Sequence, residues 1–263
     1  MALNFAKTAS AASTKPATQK QPNPANSNFL MRGNKAKDAV REDEAQAEIR
    51  KAEAGKMFRF WIKEGEEKQI TFLDGDIDSD GMLDINFYYE HMIKIAGQWK
   101  TFVDTSEVDQ TQPCPLTEAG SRPYLAGAMT IIDHSPYTIK SGENAGKTIQ
   151  HVRKLFIAKR QTIQQLTNLA KKRGGLTGCT FDVTRIGKNS ASVGSQFDFQ
   201  HKFNSREEIA EACGLQLDEV QPANYAEEIV YHSPEELIEM GIGKAPSGVG
   251  FNSKTQSSLK DEL

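Results

Sequence analysis

The sequence predicts a mainly β fold with accessory helices, arranged as a small closed β-barrel carrying one inserted helix. Three observations predict it. Apolar residues recur with period two from Met57 to Phe203, one segment within that stretch switches to the helical period, and both flanks are too polar to join a core. The 263 residues therefore divide into a disordered N-terminal arm with an exposed helix (1–56), a β domain (57–204) and an acidic helical C-terminal tail (205–263).

The strands follow from alternation. In residues 57–63, Phe58, Phe60 and Ile62 share one face while Arg59, Trp61 and Lys63 share the other. In residues 84–95, Ile85, Phe87, Tyr89, His91, Ile93 and Ile95 alternate with Asn86, Tyr88, Glu90, Met92 and Lys94. A turn at 96–98 leads into Trp99-Lys100-Thr101-Phe102, and further strands are predicted over 124–134, 149–159, 179–187 and 193–203. The helix is predicted over 160–175, where Ile163, Leu166 and Ala170 fall at i, i+3 and i+7. Lys171-Lys172-Arg173 suit its C-terminal dipole, and Gly174-Gly175 stop it. Strands, one helix and more strands make an OB-like barrel, a frequent nucleic-acid-binding form.

The flanks read differently. Residues 1–33 are rich in Ala, Ser, Thr, Asn, Gln and Pro, which predicts disorder. From Lys35 to Lys56 strong helix formers dominate, with Val40 and Ile49 the only large apolar residues, so an exposed, loosely docked helix is expected. In the tail, Ser205-x-x-Glu208 is a capping box opening a helix that stops before Gly214. Ser233-Pro234-Glu235-Glu236 opens another that stops at Gly241, and the residues beyond it are expected to be flexible.

Composition narrows the setting. No run of about 18 apolar residues exists, so no membrane span is expected. The first 20 residues lack the apolar stretch of a signal peptide, and three scattered cysteines (Cys114, Cys179, Cys213) suit a reducing cytoplasm. Lys260-Asp261-Glu262-Leu263 spells a retention address that means nothing without entry to the secretory pathway, and is read as coincidence. The net charge of −3 hides strong segregation: +4 over 1–56, −8 over 57–120, +9 over 121–204 and −8 over 205–263. A near-neutral total therefore leaves room for a polyanionic partner at the basic segment.

Motifs for catalysis are weak. Asp76-x-Asp78-x-Asp80-Gly81 opens like a calcium loop, but its twelfth position is Phe87 and its flanks read as strands, so a polar turn is expected. Gly142 to Thr148 imitates a phosphate-binding loop with one spacer residue too few and a strand after it, which suits a loop tip. No G-x-S-x-G or H-E-x-x-H is present, and the five histidines share no helical spacing. No enzyme activity and no cofactor are expected.

Aromatic residues beside cations on strands do accumulate. Single-stranded nucleic acid exposes base faces and phosphates together, and each stacked base contributes on the order of 1–3 kcal/mol. Trp61, Tyr88, Trp99, Tyr137 and Phe156 are the stacking candidates. Lys94, Lys100, Arg153, Lys159, Arg160, Arg185 and Lys188 are the phosphate candidates, with Arg59 and Lys63 beside Trp61. Phe58, Phe60, Phe72, Phe87 and Phe197 are expected in the core.

A resemblance joins these pieces. The succession Arg59-Phe60-Trp61-Ile62-Lys63-Glu64-Gly65-Glu66, Thr71-Phe72-Leu73-Asp74-Gly75-Asp76, Glu90-His91, Gly97-x-Trp99 and Cys114-Pro115-Leu116 resembles the first half of a family of bacteriophage single-stranded DNA-binding proteins. Ile132-Asp133-His134-Ser135-Pro136-Tyr137, Lys154-Leu155-Phe156-x-Ala158-Lys159, Gly174-Gly175-Leu176-x-Gly178 and Phe181-Asp182-Val183-x-Arg185 are similar to its second half. The resemblance implies an OB-fold that coats single strands during DNA replication, repair and recombination in the host cytoplasm. It also implies an acidic tail that engages replication or recombination proteins. Members of the family often continue Cys-Pro-Leu with a second cysteine, which suggests zinc. Here that position is Thr117, the cysteine expected near Val103 or Asp104 is missing, and only Cys114 and His91 remain as donors, so no structural zinc is expected. Two rivals stay open: a metal-dependent nucleic-acid enzyme using Asp74, Asp76, Asp78, Asp80 and Asp84, and an RNA-binding OB module.

Overall fold

A computed structural model describes residues 31–242 except 96, 109, 111 and 141. The expected N-terminal disorder, the flexible end of the tail and the Lys260–Leu263 motif lie outside the described residues, apart from positions 31–33. The chain divides into two compact units, 1–40 and 41–263. Of the first, residues 31–40 hold only the opening of helix α1 (Asn34–Glu53). No helix among the described residues is long and apolar enough to cross a membrane.

The second unit is mainly antiparallel sheet. In chain order the strands are β1 (Glu67–Phe72), β2 (Asp76–Ile77), β3 (Leu83–Asp84), β4 (Asn86–Ile95), β5 (Gln98–Val103), β6 (Tyr124–Asp133), β7 (Tyr137–Thr138), β8 (Thr148–Ile149), β9 (Val152–Lys159), β10 (Cys179–Thr184) and β11 (Gln196–Lys202). Helices α2 (Pro115–Glu118), α3 (Arg160–Arg173), α4 (Arg206–Cys213), α5 (Tyr225–Glu228) and α6 (Pro234–Glu239) complete the described chain. The main sheet runs β11-β10-β1-β6-β4-β5, with β9 on β6; β2–β3 and β7–β8 are separate two-stranded hairpins.

Strand β6 organises the sheet. Its ten residues reach far enough to serve two neighbours along one edge, at about 3.3 Å per residue. Tyr124 to Ala128 pair with β4, Ile131 to Asp133 pair with β1, and the other edge pairs with β9 from Ala126↔Lys159 to Asp133↔Val152.

No ladder joins β9 to β11, so the described strands do not close into the expected barrel. Residues 57–63 are the reason. Instead of a full strand they make one parallel bridge, Arg59↔Leu155. They then cross from β9 toward the β10–β11 loop: the Phe60 N–H donates to the Leu155 carbonyl at 2.7 Å, and the Ile62 N–H to the Ser192 carbonyl at 2.8 Å.

The core is aromatic. Phe60, Phe72, Phe156, Phe181 and Phe197 are buried in one cluster with Ile70, Met129, Ile131 and the α3 residues Ile163, Leu166 and Ala170. Phe60 and Phe156 stack at 5.8 Å, and Phe72 meets Phe156 edge-on at 5.2 Å. The α3 residues are those the helical spacing picked out, and Gly174 ends the helix in the left-handed region with φ 65°. Helix and sheet approach closely at Gly127, where a Cβ would stand 2.8 Å from Ile85 Cδ1 and 3.2 Å from Ile163 Cδ1.

The polar flanks pack more than expected. From α1, Ile49 is buried with Ile93, Phe102, Leu116, Leu237 and Ile242. From the tail, Ile209 and Val220 are buried against Leu73 and Ile132. Ser205 caps α4 as predicted, but the box does not close: the Glu208 carboxylate accepts from the Asn204 N–H at 2.8 Å rather than from Ser205. The predicted helix start at Ser233 holds, and there a reciprocal capping box with Glu236 forms. Arg153 donates to the carbonyls of Asp218 and Gln221 at 3.1 and 3.0 Å. The tail, as far as residue 242, is thus seated on the sheet rather than loosely tethered.

Candidate nucleic-acid interface

Exposed aromatic residues mark three sites, two of them beside cations. Trp61, 54% exposed, lines a cleft of about 450 Å³ with Lys63, Lys68, Ser135 and Pro136. Lys63 pairs there with Glu66 at 3.3 Å, and Lys68 with buried Asp133 at 3.6 Å. The next residue after Pro136 is exposed Tyr137, at the base of the β7–β8 hairpin. Turns at Gly142 to Lys147 close that hairpin, as a loop tip should.

The second site is the β4–β5 hairpin. Trp99, 64% exposed, stands directly opposite Lys94 across the ladder. Directly opposed side chains on an antiparallel pair lie within contact reach, so the hairpin presents an indole and an ammonium together.

The third site was not expected. Phe87, expected in the core, is 43% exposed, and Tyr89 on the same face of β4 is exposed as well. That face is covered at Ile85, which packs on the core, and opens beyond it. Tyr89 pairs with Leu125. Arg160, exposed, follows Lys159 at the end of the β6–β9 ladder and opens α3. Phe58, also expected in the core, is 75% exposed, because residues 57–63 bury only Phe60 and Ile62.

Other candidates are engaged in the fold. Phe156 is wholly buried between Phe60 and Phe72 and offers no face to a base. Arg153 holds the tail. Arg185 donates to the carbonyls of Ile62 and Lys188 at 3.1 and 3.0 Å, fastening residues 57–63 to the β10–β11 loop. Lys188 itself is exposed on that loop. Lys100 is paired with Glu53 at 2.6 Å.

Arg59, Tyr88 and Lys159 converge on a buried carboxylate. Glu90 accepts from Arg59 at 2.9 Å, from the Tyr88 hydroxyl at 3.0 Å and from the Tyr124 hydroxyl at 2.7 Å. The Lys159 ammonium lies 3.9 Å from the Tyr124 ring centroid. Burial, and then the neighbouring Glu90 charge, raise the Tyr124 hydroxyl. For Tyr88 burial also dominates the rise, partly offset by Arg59. These groups make a rigid polar patch at the β4–β6–β9 rows rather than free phosphate ligands.

Two clusters of possible metal donors occur among the described residues: His91, Asp104 and Cys114, all buried, and His134, His151 and Cys213, half-buried. The first corrects the expected donor count, since Asp104 adds a carboxylate to His91 and Cys114. His91 Nε2 lies 3.2 Å from Asp104 Oδ2 and 3.7 Å from Cys114 Sγ, while Nδ1 contacts Ser121 Oγ at 3.1 Å. Burial pushes the Cys114 thiol up, but hydrogen bonds from His91 and Thr105 outweigh it and bring it down to about 6. A thiolate, an imidazole and a carboxylate are a donor set that fits zinc.

Neither cluster includes an aspartate from 74–84. Asp78 caps its own turn, accepting from the backbone of Asp80 and Met82 at 2.9 and 2.8 Å. Asp74 accepts from the Thr130 N–H at 2.9 Å and from the Tyr225 hydroxyl.

No protein-family model matches this chain, and no curated protein matches it.

Proposed function

We propose that this protein binds single-stranded DNA with little regard to sequence, and coats it during phage DNA replication, repair and recombination without catalysing a reaction. The observation that carries this reading is the repeated placing of an exposed ring beside a cation: Trp61 with Lys63 at one cleft, and Trp99 opposite Lys94 on the β4–β5 ladder. Rings stack on any base and cations meet any phosphate, so such a surface favours unpaired strands over duplex, whose base faces are hidden. We read the sheet as an OB-like barrel whose seam is bridged by residues 58–62 rather than by a ladder. The acidic segment 205–240 is the proposed contact for replication or recombination proteins.

Equal-length DNA and RNA oligonucleotides titrated side by side test the substrate, with DNA expected to bind at least as tightly as RNA. A clear RNA preference overturns the DNA assignment. A nuclease assay with Mg²⁺ is expected to show no cleavage. Chelator-sensitive turnover overturns the non-enzymatic reading.

A further inference from the structure

We propose that His134, His151 and Cys213 form a binding site for a divalent transition-metal ion of the zinc type, separate from the His91–Asp104–Cys114 cluster and from the DNA surface. The three residues come from different elements. His134 directly follows β6, His151 directly precedes β9, and Cys213 ends α4. Their donor atoms nevertheless lie within 4.8 Å of one another. They line a cavity of about 140 Å³, to which His201 on β11 also contributes.

The geometry around His134 suits a metal ligand. Its Nε2 lies 2.7 Å from Thr71 Oγ1, which itself contacts Thr180 Oγ1 at 2.7 Å. With Nε2–H donating to Thr71, the Nδ1 lone pair points into the cavity. Metal-bound histidines are held in the same way by a partner on the remote nitrogen. Facing it is His151 Nδ1 at 2.8 Å, with Cys213 Sγ 4.0 Å from His134 Nδ1. Tetrahedral zinc with bonds of about 2.0–2.3 Å places neighbouring donors roughly 3.3–3.7 Å apart. Measured from His134 Nδ1, the second nitrogen must therefore move out, and the sulfur in, by about half an ångström each.

His151 supports the same conclusion independently. It is the one non-glycine among the described residues with positive φ, at 57°. A side-chain-bearing residue adopts that region at a cost, and such positions concentrate where geometry serves a site. On binding, His151 moves its proton from Nδ1 to Nε2 and Cys213 releases its thiol proton to solvent. The ion gains two imidazoles and a thiolate, and its fourth position is left to water or His201. A bound ion ties α4 to the ends of β6 and β9.

Cobalt(II) is the probe, because a thiolate ligand gives it an intense charge-transfer band and a tetrahedral field gives it visible absorption. Full-length protein carrying Cys114→Ser, which silences the thiolate of the other cluster, is stripped of metal and titrated. One equivalent with a thiolate band is expected. Adding Cys213→Ser abolishes the band, and adding His151→Gly, which also relieves the backbone, weakens binding by more than about tenfold. No thiolate band in the Cys114→Ser protein, or an unchanged band after Cys213→Ser, overturns the site. Should circular dichroism show Cys114→Ser unfolded, zinc per chain decides instead: Cys213→Ser must remove one ion relative to wild type, and an equal zinc content overturns the proposal.

Discussion

Arg59 and Glu90 form an ion pair at 2.9 Å in which the carboxylate is almost fully buried while the guanidinium keeps partial access to water. The pair joins residues 57–63 to β4, and two tyrosine hydroxyls complete the carboxylate's partners. Glu90→Ala leaves Arg59, Tyr88 and Tyr124 without their common acceptor. A loss of about 3 kcal/mol is expected, the low end for a broken buried pair because Arg59 can rehydrate. Urea denaturation measures it, and a change below about 0.5 kcal/mol would show that the network is dispensable.

The burial of Asp74 sets a pH dependence, which its hydrogen bond from Tyr225 partly offsets. Burial raises the Asp74 carboxyl from 3.8 to about 6. The folded state then binds the proton more tightly than the unfolded one between those values. The stability from this group is full below about pH 4 and is lost as pH rises through 6, by at most about 3 kcal/mol at 1.36 kcal/mol per unit. Asp74→Asn should flatten that part of the stability profile, measured by urea titration from pH 4 to 8. An identical profile in the variant contradicts the assignment.

Trp61→Ala and Trp99→Ala should each weaken oligo(dT) binding by about 1–3 kcal/mol with the fold intact, since both indoles are exposed. Phe156→Ala should do the opposite, costing about 3–5 kcal/mol of stability because its ring fills the core. Fluorescence anisotropy and denaturant melts separate the two effects. Wild-type affinity in both tryptophan variants removes those rings from the site.

The contrast between Phe156 and Trp61 shows what the residues alone disclosed. Period two correctly paired Phe60 with Ile62 and set Trp61 opposite them, and helical spacing placed Ile163, Leu166 and Ala170 inward. Alternation does not say where a face runs out of cover. Phe87 and Phe58 therefore read as core although nothing packs over them fully, and Phe156 read as a surface ring because Lys154 and Lys159 flank it. The tail looked tethered because its apolar residues are sparse, yet Ile209, Val220, Leu237 and Ile242 each find a buried position. Of the donor clusters, His91 and Cys114 were legible but Asp104 was not, and the second was invisible for a different reason: His134, His151 and Cys213 are far apart in the chain, and only strand pairing and α4 packing assemble them.

Truncation after Asn204 follows from that packing. It strips cover from Leu73, Ile132, Ile93 and Phe102, and each large apolar side chain lost from burial costs about 1.5–3 kcal/mol. The shortened protein should melt well below wild type or fail to fold. The opposite charges of segments 205–263 and 121–204 lead us to expect that the acidic carboxylates compete with DNA for the basic stretch, and this is better tested by charge, with Glu207→Gln, Glu211→Gln and Glu235→Gln together. Tighter single-strand binding at low salt, fading as the Debye length shortens to about 10 Å at 0.1 M, is the expected result. Unchanged affinity at every ionic strength leaves these carboxylates a solubilising role.

The most direct test of the central claim is the affinity of the full-length protein for one single-stranded DNA and for the same sequence as duplex, measured across salt concentration. The single strand should bind more tightly throughout, and its log affinity should fall linearly with log salt with a slope of about −0.7 per phosphate contacted. Equal affinity for duplex, or binding to the single strand that does not respond to salt, would contradict a surface that works by stacking exposed bases and neutralising phosphates.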